Sequence, residues 1–170
     1  RPWSGSGSLA ALQQIFAEYG VDSRFIRTVD GPSGHAIIQL DKNAQNSILL
    51  YGGANQKLTT EYVDEVLSHF GSDDILLLQN EVNLLPYIVD KAHAKGMQIA
   101  LNPSPFNEKL DAVDMKKISI FLLNEVEGFQ LTGEKDTEAI IAKLRELFPH
   151  ARIMLTLGKD GACLLYTSPS

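Results

Sequence analysis

Residues 121–132 read FLLNEVEGFQLT, and the change from strand to helix within this stretch decides the fold prediction. An apolar, strand-like run ends at Leu123, and a helical pattern begins at Glu125. Asn124 is a favoured N-cap residue, and Glu127 follows three positions later, as in a capping box. The local pattern therefore predicts a buried strand that leads directly into a capped helix.

The same alternation of apolar runs and amphipathic segments extends over most of the chain. Strands are predicted at 75–78, 98–101, 118–123 and 153–157, and helices at 59–70, 84–94, 125–131 and 137–148. The run at 75–78 is continuously apolar, as expected for a strand buried on both faces. Strands that alternate with helices predict a parallel sheet with helices on its faces.

The first third of the chain has a different pattern. A helix is predicted at 9–19, and Gly20 is suited to its C-terminal cap. Short runs with partial alternation follow at 24–29, 35–40 and 47–51, with Gly, Pro or Asn between them. These runs are typical of antiparallel strands with one exposed face.

Composition narrows the class of protein. The 170 residues carry a net charge of −6 and a single cysteine, Cys163. An acidic surface disfavours a nucleic-acid partner, and no apolar run approaches the length of a membrane span. One cysteine excludes an internal disulfide and favours a reducing compartment. We therefore expect a cytoplasmic protein with neither a nucleic-acid nor a membrane partner.

Polar or glycine-rich residues follow every strand of the predicted parallel sheet. These segments are 79–81 (QNE), 102–105 (NPSP), 124–127 (NEVE) and 156–161 (TLGKDG). Ligands of open parallel sheets bind beyond the carboxyl ends of the strands, which meet at one edge. The four segments together therefore predict a binding site at that edge.

Each segment also has a purely structural explanation. Asn124 with Glu127 can serve only as a cap, Asn102 can shape a turn, and 156–161 can be a turn between strands. The last segment is not a P-loop, because Asp160 stands where a P-loop has Ser or Thr. Glu81 favours a ligand, since a carboxylate at the end of a buried strand is costly to leave unpaired.

Six motifs together carry a family resemblance: SGHAIIQLD (33–41), YGGAN (51–55), LQNE (78–81), ALNPSPF (100–106), LLNEVEGFQLTG (122–133) and MLTLGKDGA (154–162). From about Leu9 to about Leu165 the chain resembles the ribokinase-like, PfkB-type carbohydrate kinases. The resemblance implies a three-layer α/β fold, present in part, with a mostly parallel central sheet and a small antiparallel β lid. One partial kinase domain would span 1–170, with lid strands at about 24–51 and a sugar- and nucleotide-binding core at about 56–166.

The resemblance also implies roles for particular residues in ATP-dependent phosphorylation of a sugar hydroxyl. Asn124 would lie near the ATP phosphates, and Glu127 would organise Mg²⁺ and its waters. Glu81 would hold sugar hydroxyls, and Asn102 would shape the same cleft. The ATP loop would comprise Thr156, Leu157, Gly158, Lys159, Asp160 and Gly161, and the apolar lid contacts to the sugar would be Ala36 and Leu50.

The family pattern places the catalytic aspartate, in a G-A-G-D type loop, beyond Gly161. We therefore expect this chain to be a central fragment that is inactive alone. The final residues, CLLYTSPS, resemble translated sequencing-adapter sequence, so we expect the last few not to be native. The resemblance further implies that the lid strands can pair two subunits into a homodimer.

Alternatives remain open at this level. A nucleoside kinase or a fructose kinase of the same family would fit these motifs, and the sugar itself is not determined. A domain that binds sugar or nucleotide without catalysis would fit as well. A Rossmann oxidoreductase is disfavoured, because no G-x-G-x-x-G follows a predicted strand.

Overall fold

A computed structural model describes residues 6–40 and 46–165. The chain divides into two compact units, Arg1–Thr59 (unit 1) and Thr60–Ser170 (unit 2). Residues 166–170, which include most of the stretch expected to be non-native, lie outside the described residues.

Unit 1 contains one helix and a two-stranded antiparallel sheet. Helix α1 spans Ser6–Glu18, and strands β1 and β2 span His35–Leu40 and Asn46–Tyr51. A short 3₁₀ helix follows at Gly53–Gln56. The predicted helix and two of the three predicted strands are confirmed, and their bounds shift by at most three residues.

The strand predicted at 24–29 is wrong. The segment forms a turn, in which the Asp22 carboxylate accepts a hydrogen bond from the Arg24 amide (3.0 Å) and Ile26 N donates to Ser23 O (2.9 Å). The Arg24 guanidinium also lies 4.8 Å from the centre of the Phe25 ring. These local contacts use the backbone N–H groups of Arg24 and Ile26, which a strand could have offered to a partner.

Unit 2 is a five-stranded sheet with helices between its strands. The strands are β3 (Ile75–Gln79), β4 (Gln98–Asn102), β5 (Ile120–Asn124), β6 (Arg152–Thr156) and β7 (Ala162–Leu165). The helices are α2 (Thr60–Ser68), α3 (Leu85–Ala94), α4 (Glu125–Thr132) and α5 (Thr137–Leu147). The strands lie in chain order, β3 to β6 parallel and β7 antiparallel to β6. The predicted parallel α/β architecture is thus confirmed.

Burial alternates from residue to residue along β5 and β6, whereas three consecutive residues of β4, Ile99 to Leu101, are buried. The side chains of Leu101, Phe121 and Ile153 are at most 1% exposed. Nearly all β-α-β connections are right-handed, and these strands follow chain order, so α3 and the α4–α5 pair are expected on one face of the sheet. The core of unit 2 therefore forms between that face and the helices.

The prediction that β3 is buried on both faces is wrong. Ile75 is 59% exposed and Leu77 is 66% exposed, whereas Leu78 is buried. Strand β3 is the terminal strand of this sheet among the described residues, and its odd-numbered side chains point away from the helical layer. An apolar run does not reveal which of its two faces the described chain covers.

Helices α2 and α3 are tied together at the surface. The Tyr87 hydroxyl donates a hydrogen bond to the Asp64 carboxylate (2.9 Å), and Lys91 forms an ion pair with it (3.2 Å). The Tyr87 hydrogen bond, followed by that of Lys91, lowers the pKa of Asp64 below its ordinary value. In the part of the chain that the structure describes, no helix is both long and apolar enough to span a membrane.

Candidate active site

The carboxyl ends of β3 to β6 meet at one edge of the sheet of unit 2. Gln79 pairs with Asn102, and Asn124 pairs with Thr156. The predicted convergence of the four polar segments is therefore observed. With about 4.8 Å between neighbouring strands, β3 and β6 lie about 14 Å apart across the sheet.

The start of α4 carries the predicted capping box. The Asn124 side chain accepts a hydrogen bond from Glu127 N (2.9 Å), and the Glu127 carboxylate accepts one from Asn124 N (2.9 Å). Asn124 is exposed, whereas Glu127 is only 5% exposed. The pair fixes a carboxylate and an amide at the positive end of the α4 dipole.

Helix α4 packs closely against α5 and β6. A Cβ atom at Gly128 would lie 2.9 Å from Ile140 Cγ2 and 3.4 Å from Leu155 Cδ1. A residue larger than glycine would therefore push α4 away from Ile140 of α5. This close approach holds Glu127, the preceding residue, at the edge of the sheet.

The segment between β6 and β7 is a tight glycine turn. Leu157 N donates to Gly161 O (2.8 Å), and a 3₁₀ turn spans Gly158–Asp160. Gly158 and Gly161 have φ values of 56° and 95°, which other residues rarely adopt. No atom lies within 4 Å of a Cβ built at either glycine, so their backbone is open to a ligand.

Glu81 lies two residues after the end of β3, and its side chain is exposed. The argument that this carboxylate is costly to leave unpaired therefore does not apply, because water can solvate it. Its position at the shared edge remains as predicted. The loop that carries it ends at Leu84, and α3 begins at Leu85.

Asn102 has the turn-forming contact that the sequence suggests, because its side chain accepts a hydrogen bond from Ser104 N (2.9 Å). A second asparagine, Asn80, escaped the sequence analysis as a candidate. It is 4% exposed, and its side chain donates to Pro105 O (2.6 Å) and to Asn107 Oδ1 (3.2 Å). The one sequence signal for a role of Asn80 is its position in the polar segment that follows β3.

Ala36 and Leu50, the two predicted lid contacts, lie directly opposite each other on β1 and β2 of unit 1. Both side chains are exposed, Leu50 by 51%. The structure thus places them on one face of the hairpin, side by side.

Within the described ranges, no three His, Cys, Asp or Glu side chains are grouped so as to hold a metal ion by themselves. Glu127 nevertheless fits a shared Mg²⁺ site. Its Oε2 accepts a hydrogen bond from the Asn124 amide N–H, and Oε1 is the second oxygen of the same carboxylate. Mg²⁺ bound with nucleotide phosphates commonly uses one or two carboxylates and keeps several waters.

Comparison with known proteins identifies the family. Residues 9–168 match the model of the pfkB family carbohydrate kinases. The chain is 33% identical over 165 residues to a ribokinase of Haemophilus influenzae, covering 92% of this chain and 54% of that protein. It is 32% identical over 151 residues to a deoxyribokinase of Salmonella typhi, covering 85% of this chain and 49% of that protein.

The fold agrees with this match. A solved structure of Arabidopsis thaliana ribokinase, complexed with ribose and ATP, superimposes with a TM-score of 0.66 at 26% identity. That superposition covers 89% of this chain and 51% of the Arabidopsis chain. The chain thus spans about half the length of the curated relatives it matches. The sheet of unit 2 and the hairpin of unit 1 agree with the family assignment. As the sequence match shows, the chain belongs to the pfkB family of carbohydrate kinases.

Proposed function

We propose that the whole protein carrying this chain is an ATP-dependent kinase that phosphorylates a hydroxyl of a ribose-type sugar in the cytoplasm. The observation that carries the proposal is the arrangement of the sheet edge in unit 2. Groups suited to phosphate and Mg²⁺ lie at the ends of β5 and β6, and a carboxylate suited to sugar hydroxyls lies at the end of β3.

On the nucleotide side, the open backbone of Thr156–Gly161 would contact the ATP phosphates, with Lys159 supplying positive charge. Asn124 and the N-terminus of α4 would add amide donors, since a helix N-terminus favours anions. Glu127 would bind Mg²⁺ or its waters through Oε1. When bound, Mg²⁺ neutralises the charge that develops on the transferring phosphoryl group.

On the sugar side, Glu81 would accept hydrogen bonds from sugar hydroxyls. Asn102 would shape the cleft by holding the backbone that follows β4, as its contact with Ser104 N suggests. From unit 1, we propose that Ala36 and Leu50 give apolar contacts to the sugar. Apolar and polar contacts together fix the orientation of a small ligand.

In the transfer, a sugar oxygen forms a bond to the γ-phosphorus of ATP while the bond from that phosphorus to the β–γ bridging oxygen breaks. ADP leaves, and the hydroxyl proton passes to a general base. We assign the role of general base to no residue of this chain. The family resemblance implies that an aspartate has this role. The residues assigned above act by positioning and by charge, which dominate phosphoryl transfer.

The purified whole protein should form ADP from ATP when ribose or 2-deoxyribose is added with Mg²⁺. The measurement is a coupled ADP assay in which ribose, 2-deoxyribose, fructose and adenosine are each supplied as the acceptor. Turnover with fructose or adenosine alone would favour one of the other kinase activities of the family. Binding of sugar and ATP without any ADP formation would contradict the kinase proposal.

We further propose that the hairpin of unit 1 pairs two subunits. Both of its faces are apolar and exposed: Leu50 represents one face, and Ile37 and Leu49 the other, at 53% and 58% exposure. An isolated two-stranded sheet is at best marginally stable in water. If Ala36 and Leu50 face the sugar, a second copy is a suitable cover for Ile37 and Leu49.

Substituting Leu49→Glu should therefore shift the whole protein from dimer towards monomer, because it would place a charge in an apolar interface. Sedimentation velocity measures the change. The matched control is Leu147→Glu, an apolar residue at the end of α5 with 37% exposure outside the hairpin, which should leave the dimer unchanged. A monomeric parent protein, or a dimer unaffected by Leu49→Glu, would contradict this proposal.

A further inference from the structure

Asn80 joins the end of β3 to the segment that follows β4. Its backbone amide donates to Ser104 O (3.2 Å), and its side-chain amide donates to Pro105 O and Asn107 Oδ1. Three hydrogen bonds from one residue thus reach across to a segment about 25 residues later in the chain.

The orientation of the Asn80 amide is determined by its partners. Pro105 O accepts only, and Asn107 Oδ1 also accepts a hydrogen bond from Lys109 N (3.1 Å). Turning the Asn80 amide over would bring its oxygen against these oxygens. The observed orientation leaves Asn80 Oδ1 buried without a hydrogen-bond partner in the described structure. The residue therefore keeps an unsatisfied acceptor while it holds the 104–107 segment.

The other end of the same loop is also restricted. Leu84 has a φ of 60°, in the left-handed region that a branched side chain rarely adopts. Its carbonyl accepts a hydrogen bond from Ile88 N (2.9 Å), which joins it to the first turn of α3. Glu81 thus lies in a short loop between the anchored Asn80 and a strained residue that begins a helix. Strain of this kind persists only where the surrounding structure enforces it.

We propose that Asn80 is a positioning residue of the sugar site, and that it acts through Glu81. The buried amide fixes the backbone on which the exposed Glu81 carboxylate is carried. Through Ser104 it also fixes the position of that carboxylate relative to Asn102, whose side chain holds the same residue. This inference rests on the proposed function, because it assumes that Glu81 binds the sugar.

The test is a double-mutant cycle on the whole protein, with ribose affinity and ATP affinity measured separately by calorimetry. Asn80→Ala should weaken ribose binding by about fivefold or more and leave ATP affinity within about twofold, since the anchor lies at the β3 end of the sheet edge. In a Glu81→Ala background, Asn80→Ala should change ribose affinity by less than about twofold, because residues that act together are not additive.

Three further variants guard against simple misfolding. Asn80→Asp keeps the size of the side chain but replaces its donor by an acceptor, and should weaken ribose binding in the same direction. Asn107→Ala removes one of the two acceptors of the Asn80 side-chain amide. Asn107 is half-buried, and its substitution should weaken ribose binding by a smaller factor than Asn80→Ala. Ile153→Val, a core change in β6 outside this segment, should lower thermal stability without changing ribose affinity.

The outcomes separate the inference from the function on which it depends. If the parent binds ribose and Glu81→Ala weakens it, but Asn80→Ala and Asn107→Ala do not, only the inference is overturned. Equal effects of Asn80→Ala with and without Glu81 would also overturn it, because Asn80 would then act independently. A parent protein that binds no sugar would overturn the proposed function and this inference together.

Discussion

Replacing Glu127 by glutamine should raise the Mg²⁺ concentration required for half-maximal activity of the whole protein about 10- to 100-fold, the loss typical of residues that orient a metal and its waters. The glutamine carbonyl can still accept the hydrogen bond from Asn124 N, so the capping box is retained. The free energy of unfolding should therefore change by less than about 1 kcal/mol. Mg²⁺ titrations of the initial rate and a chemical denaturation curve measure the two effects.

The chain offers a matched control in Glu125→Gln. Glu125 lies in the same first turn of α4 and has the same charge, but it is exposed and takes no part in the capping box. Its substitution should leave the Mg²⁺ requirement unchanged while it removes the same interaction with the helix dipole. If both variants respond to Mg²⁺ like the parent, the role of Glu127 is limited to capping.

Glu81→Ala should weaken sugar binding about 10- to 150-fold and leave ATP binding nearly unchanged. The estimate follows from the roughly 1.5–3 kcal/mol that a hydrogen bond to a charged group contributes. Because the Glu81 side chain is exposed, its removal should have little effect on folding. Calorimetric titration of the whole protein with ribose, and separately with ATP, measures both affinities.

Two comparisons sharpen this experiment. Glu81→Gln keeps an acceptor without the charge and should lie between the parent and Glu81→Ala. Glu134→Ala removes an equally exposed carboxylate after α4 and should leave both affinities unaltered. Sugar affinity that is the same in Glu81→Ala and in Glu134→Ala would exclude Glu81 from the sugar site.

The features that the sequence predicted well are those determined over a few residues. Asn124 and Glu127 are three positions apart, and both of their hydrogen bonds lie within that interval. The parallel sheet was predictable for a related reason. Each strand and the helix that follows it show their own spacing of apolar residues along the sequence. Gly158 and Gly161 were predictable as turn residues, since their φ values require glycine.

The failures concern properties that depend on distant partners. Asn80 is defined by contacts to residues 104–107, which no local pattern specifies. The apolar run of β3 is compatible with one or with two covered faces, so the exposure of Leu77 could not be read from it. Conversely, the partial alternation of apolar and polar residues at 24–29 is typical of a strand, but the Asp22 side chain stabilises a turn there instead.

The strand order of unit 2 has a consequence for the way in which the protein is made. From β4 to β7, every strand pairs with the strand that precedes it in the chain. Such neighbouring pairings keep the sequence separation of contacts lower than pairings that skip a strand would, and folding is faster when that separation is lower. During synthesis, the strand that receives each new strand has already been translated, so the sheet can grow one strand at a time in step with translation.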